Sequence, residues 1–148
     1  MAEYNITNIE AVKEWLRTYE PLSFGRLGVD FLPEEAQTYS VDSVPGPEIV
    51  KQYLDGSAIK QFDFVLASRE FFGDSIGQNA DNLQWYEEFS DWVRRQNRRP
   101  KNLPQLSDRR TAQTVEVSTS GYPYQMSQDG KARYQIQLKM IYFEKGER

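Results

Sequence analysis

The chain contains no cysteine and no histidine. Without cysteine there is no disulfide, thiolate nucleophile, zinc ribbon or iron–sulfur cluster. Without histidine there is no Ser-His-Asp triad, no imidazole base near neutral pH and no histidine metal ligand. Catalysis is left to carboxylates, Lys, Tyr, Ser and Arg, so the expectation is a protein that is not an enzyme and needs no metal or cofactor. Long apolar runs are missing too. None approaches the ~18 residues of a membrane span, and residues 1–7 form no basic-then-apolar leader. The chain is therefore expected in the cytoplasm, with no membrane partner, where the sequon Asn5-Ile6-Thr7 has no secretory context. Hydrophobic residues make up 39%, below the usual ~45–50%. Aromatics supply 14%, which implies a lean core built from large side chains. At 148 residues the expectation is one domain, burying roughly 70% of the surface of its unfolded chain.

Element signals follow in order. Thr7-Asn8-Ile9-Glu10 reads as a capping box. Ile9, Val12, Leu16 and Tyr19 recur at helical spacing, with Trp15 alongside, so a helix is predicted over residues 8–19, stopped by Glu20-Pro21. Residues 27–32 read as a short strand ended by Pro33, and residues 38–44 as another before Pro45-Gly46-Pro47. Residues 48–54 and 57–68 flank Asp55-Gly56, a pair favoured where a tight hairpin needs positive φ at both central residues. In the second arm Phe62, Phe64 and Leu66 share a face opposite Gln61 and Asp63. A polar loop is predicted over residues 73–80, then a helix over 81–97 with Asp81 as N-cap and Gln84 at N3. Its stripe is Leu83, Tyr86, Phe89 and Val93, broadened by Trp85 and Trp92. Pro100 and Pro104 mark an irregular connector, followed by strands over 114–120 and 131–144 and a further strand near 122–126. In the 131–144 strand Ala132, Tyr134, Ile136, Leu138, Met140 and Tyr142 alternate with Arg133, Gln135, Gln137 and Lys139. The predicted class is α+β: an antiparallel or mixed sheet of about five to six strands with two helices on one face.

Motifs of chemistry are weak. Gly73-Asp74-Ser75-Ile76-Gly77 lacks both the Lys-Ser/Thr of a phosphate loop and the G-x-G-x-x-G spacing, and reads as an ordinary loop. Glu87 and Asp91 stand four apart but oppose the apolar stripe, which makes them a solvated face. Tyr122-Pro123-Tyr124 suits a pocket lining or an edge or interface strand equally well. Charge is more informative. Arg94, Arg95, Arg98, Arg99, Lys101, Arg109 and Arg110 face only Asp108 over residues 94–110, so this segment is +6 within a chain of −4, leaving −10 elsewhere. Such a split suits a nucleic-acid contact or head-to-tail pairing of copies; the plain alternative is cations complementing a helix C-terminus. The acidic balance and the lack of a DNA-reading helix argue against nucleic acid as the primary partner. These seven residues are the candidate interface.

Several stretches resemble, in order along the chain, small proteins of phage and prophage tail modules. They are Tyr39-Ser40-Val41-Asp42-Ser43-Val44-Pro45, Tyr53-Leu54-Asp55-Gly56-Ser57, and residues 61–70 from Gln61-Phe62-Asp63-Phe64 to Arg69-Glu70. Phe89-Ser90-Asp91-Trp92-Val93, residues 117–122 and residues 131–137 continue the series. The group is similar to minor capsid or tail-terminator (tail-completion) proteins of long-tailed phages. That resemblance implies an α+β fold and a hexameric ring that caps the tail tube and docks the head connector. It implies no catalytic residues. The expected partners are further copies of the chain, the tail-tube protein and the connector, with DNA passing through the ring without sequence-specific contact. The expected location is the bacterial cytoplasm during assembly, then the virion tail. The rival readings are a small-molecule-binding or carboxylate-based enzyme domain using a Tyr-lined cleft, and a monomeric or dimeric adaptor.

Overall fold

Two stretches with period-two alternation, each long enough to run the full height of a sheet, form the centre of the molecule. The computed structural model describes residues 6–23, 27–30, 32, 38–72, 76–126 and 129–146. The elements are α1 (Asn8–Leu16), β1 (Leu27–Val29), β2 (Thr38–Ser43), β3 (Ile49–Gln52), β4 (Ala58–Phe71), α2 (Ile76–Gln96), β5 (Arg110–Val117), β6 (Tyr122–Met126) and β7 (Lys131–Glu144). The seven strands form one mixed sheet of order β1-β2-β4-β7-β5, with β3 sharing an edge of β4 with β2, and β6 sharing an edge of β7 with β5. All pairs are antiparallel except β1 with β2. This is the predicted α+β class, with seven strands rather than five to six.

β4 and β7 pair along their whole length, from Ala58 opposite Glu144 to Phe71 opposite Lys131. This register sets Phe64 beside Leu138 and Leu66 beside Ile136, so the apolar faces coincide. α2 packs over β4 and β5 and α1 over β1 and β2, and the helices meet at Trp15 and Trp92. Phe89, Val93 and Tyr86 of α2 are buried against Leu66, Ile136, Leu138 and Met140. The opposite face carries Arg133, Gln135, Gln137 and Lys139 as predicted; Arg133 Nη2 reaches Asp42 Oδ2 at 2.9 Å and Lys139 reaches Glu116 at 3.5 Å.

Several element ends differ from the sequence reading, each for a local reason. α1 starts at its predicted cap, where Thr7 Oγ accepts from the Glu10 amide at 3.3 Å. It stops at Leu16 instead of Tyr19 because the Thr18 and Tyr19 amides turn to carbonyls three residues back, and Thr18 Oγ donates to Trp15 O at 2.6 Å. A 3-10 turn over Glu20–Leu22 follows, with Pro21 in its first turn. β1 is only three residues long, ending before Asp30 at φ 53°; Pro33, its predicted stop, lies outside the described residues. α2 begins at Ile76, so Asp81 is an exposed interior residue and not the N-cap. Residues 76–80 are thus helix and not loop, while 73–75 lie outside the described residues. Leu83 is exposed and leaves the predicted stripe, whose place is taken by Asn82 and Ser90. Asn82 Nδ2 donates to Phe71 O at 2.8 Å, tying the start of α2 to the end of β4. The hairpin of β3 and β4 is present, but its turn is different. Tyr53 and Ser57 close a three-residue loop, with the Tyr53 amide on Ser57 O at 2.8 Å, and only Gly56 has positive φ, at 89°. Asp55 keeps an ordinary φ because this is the longer bulged loop instead of a two-residue turn. β5 spans Arg110–Val117 in place of residues 114–120, with a bulge between Ala112 and Thr114.

Candidate interaction surfaces

The basic segment follows from how α2 ends. Beyond Gln96 the Arg98 and Arg99 amides reach back to Arg95 O and Gln96 O, and a 3-10 turn over Pro100–Asn102 redirects the chain. Asn97 anchors this elbow to β5: its side chain donates to Val115 O at 2.7 Å and accepts from the Val115 amide at 2.9 Å and Thr114 Oγ at 3.1 Å. Trp15 Nε1 donates to Asn102 O at 2.8 Å, tying the elbow to α1. Leu103 and Leu106 are buried behind it. The backbone is therefore fixed while its charges point outward.

The seven basic residues divide into two sets. Arg94, Arg95, Arg98, Arg99 and Lys101 are exposed, and among the described residues only Arg94 has an ion-pair partner, Asp91 at 3.0 Å. Arg109 and Arg110 are half-buried and used inside the fold. Arg109 Nη2 donates to Lys145 O at 2.7 Å. Arg110 donates to Ile6 O, Asn8 Oδ1 and Ser107 Oγ, clamping the start of α1 to the start of β5. Two grooves flank the elbow. One, of about 370 Å³, lies between Trp15, Trp92 and Lys101; the other, of about 380 Å³, lies between Lys101, Leu106 and Arg110.

The sequence reading missed a second surface. All four residues of β3 are exposed, and Ile49, Val50, Tyr53 and the fully exposed Leu54 form an apolar tip on an open sheet edge. The signal lay in the adjacent pairs Ile49-Val50 and Tyr53-Leu54, since neighbouring strand residues point to opposite faces and one of each pair must face outward. The tip stands at the same end of the sheet as Arg109: the Gly146 amide donates to Ser57 Oγ at 3.1 Å and the Lys145 amide to Arg109 O at 2.8 Å. The Asp55 carboxyl is held below its ordinary range by hydrogen bonds from Ser57, which stiffen the tip. Tyr122 and Tyr124 lie on the edge strand β6, where Tyr122 Oη accepts from Gln135 Nε2 at 2.9 Å and Tyr124 is exposed. This is an edge-strand placement.

Other titratable groups gather under α2. Ser68 Oγ lies 2.6 Å from Tyr86 Oη, which also donates to Tyr134 O at 3.3 Å. Tyr39 stacks on Trp85 with ring centres 5.3 Å apart, and loss of water pushes its phenol up to about 12, helped by Glu70. A phenol so shifted stays protonated at neutral pH and is no base. Glu87 and Asp91 are exposed, as expected. Among the described residues no three Asp or Glu side chains converge as a metal site. No family model matches the chain, and no curated protein matches it either.

Proposed function

We propose that this chain is a structural subunit of a long-tailed phage or prophage virion, which caps the tail tube and joins it to the head connector as a ring. The observation that carries this reading is the apolar β3 tip on an open edge, fixed to the end of the sheet where Arg109 lies. β3 is short, bulged between Ile49 and Lys51 and carries a lysine, which blunts its bare edge. The support lies in the apolar side chains of Ile49, Val50 and Leu54 that stay exposed beside it. The collinear resemblance to tail-terminator proteins supplies the kind of assembly. In this reading the partners are further copies, the tail-tube protein and the connector, and no cofactor or turnover is involved. The test is deletion of the gene from an inducible lysogen. Electron micrographs should show unjoined heads and tails or tails of abnormal length, whereas normal infectious particles would end the reading. The ligand-binding alternative rests on the groove between Trp15 and Trp92; a thermal-shift screen with metabolites that raised the melting temperature would favour it.

A further inference from the structure

We infer that the acidic half of α2 is the acceptor for the basic elbow of a second copy of this chain. The inference rests on the self-assembly reading above and names the contact. Along the exposed stripe of α2 the charge changes sign. Asp81, Glu87, Glu88 and Asp91 precede Arg94 and Arg95, and Arg98, Arg99 and Lys101 follow on the elbow. The helix dipole does not explain this pattern, because its effect fades within the first and last turns. Glu87, Glu88 and Asp91 stand in the middle of a 21-residue helix.

Glu87 and Arg95 stand about 12 Å apart along α2 at a helical rise of ~1.5 Å per residue. That exceeds the screening length of ~8 Å at physiological salt. Asp91 pairs with Arg94 within the copy, whereas Glu87, Glu88, Arg95, Arg98, Arg99 and Lys101 have no ion-pair partner among the described residues. Glu87 and Asp91 border two shallow concavities, one beside Leu83 and one beside Arg94 and residues 117–120. The elbow is held by Asn97 and Trp15, with Arg98 and Arg99 exposed. A basic patch meeting a different, acidic one is a heterologous contact, which repeats head to tail and closes into a ring when the rotation allows.

The experiment is sedimentation velocity on the full chain, with two charge-reversed variants: Arg98→Glu with Arg99→Glu, and Glu87→Lys with Glu88→Lys. All four positions are exposed, so both variants should keep the circular dichroism and melting temperature of the parent. Each alone should self-associate about tenfold or more weakly, since like charges then face each other. Mixed in equal amounts they should associate again, because each supplies the patch that the other needs. Salt at ~1 M, where screening acts within about 3 Å, should weaken the parent as well. A parent that associates while its variants do so equally, or variants that do not rescue each other, would overturn this contact and leave the assembly reading standing. A parent that stays monomeric at all concentrations and salts would remove both.

Discussion

Tyr86 joins the two layers through one side chain: its ring stacks on Tyr134 with centres 6.2 Å apart, and its hydroxyl meets Ser68 and the Tyr134 carbonyl. Burial drives its phenol well above the ordinary range, so it acts only as a neutral hydrogen-bonding group. Tyr86→Phe leaves two buried partners short of a bond and should cost about 1–3 kcal/mol, read from the urea midpoint. Phe89, fully buried between Trp85 and Trp92, contributes by volume. Truncation to Ala should cost ~3–5 kcal/mol, and an unchanged midpoint would refute its placement. Glu70 acts in the opposite sense. Loss of water raises its carboxyl above the ordinary 4.5, offset in part by a hydrogen bond from Ser68. An acid whose pKa is raised by folding destabilises the native state when ionised, and this penalty disappears as pH falls below the unfolded value. Glu70→Gln should therefore raise the melting temperature at neutral pH and leave it unchanged below about pH 4.

At the scale of elements, the turn between β3 and β4 depends on one backbone conformation. Gly56 sits at φ 89°, which costs an L-residue roughly 1–2 kcal/mol. Gly56→Ala should lower stability by that amount in chemical denaturation without moving the sheet's circular dichroism. The hairpin was legible because turn chemistry is local, and β7 because one buried face imposes strict alternation on Ala132, Tyr134, Ile136 and Leu138. The start of α2 was not legible. Gly77 and Asn79 are poor helix formers, and the tie from Asn82 to Phe71 O that accompanies this longer helix is a tertiary contact. The candidate surface was legible as charge but not as exposure. Arg110 looks like its neighbours in sequence, yet its partners Asn8 and Ile6 lie 102 and 104 positions away. The apolar tip at β3 escaped notice because alternation says which face a residue takes, not whether anything covers it.

Over the whole molecule the order of strands in space departs sharply from their order in sequence. β7, the most C-terminal strand, lies between β4 and the β5 and β6 edges, so it completes the hydrophobic layer that both helices cover. Pairings this distant in sequence close slowly, since the chain entropy is lost before the contact is gained. A fragment comprising residues 1–130 lacks the partner of every residue in β4 along its β7 edge; it should remain protease-sensitive and show no cooperative melting. The consequence reaches into synthesis. As the polypeptide leaves the ribosome, β5 waits for β7, and Asn97 can fix the basic elbow only to a β5 that is in place. The elbow therefore lacks this anchor on a nascent chain. The anchor of the elbow is complete only after residues 131–144 have been made and folded into the middle of the sheet.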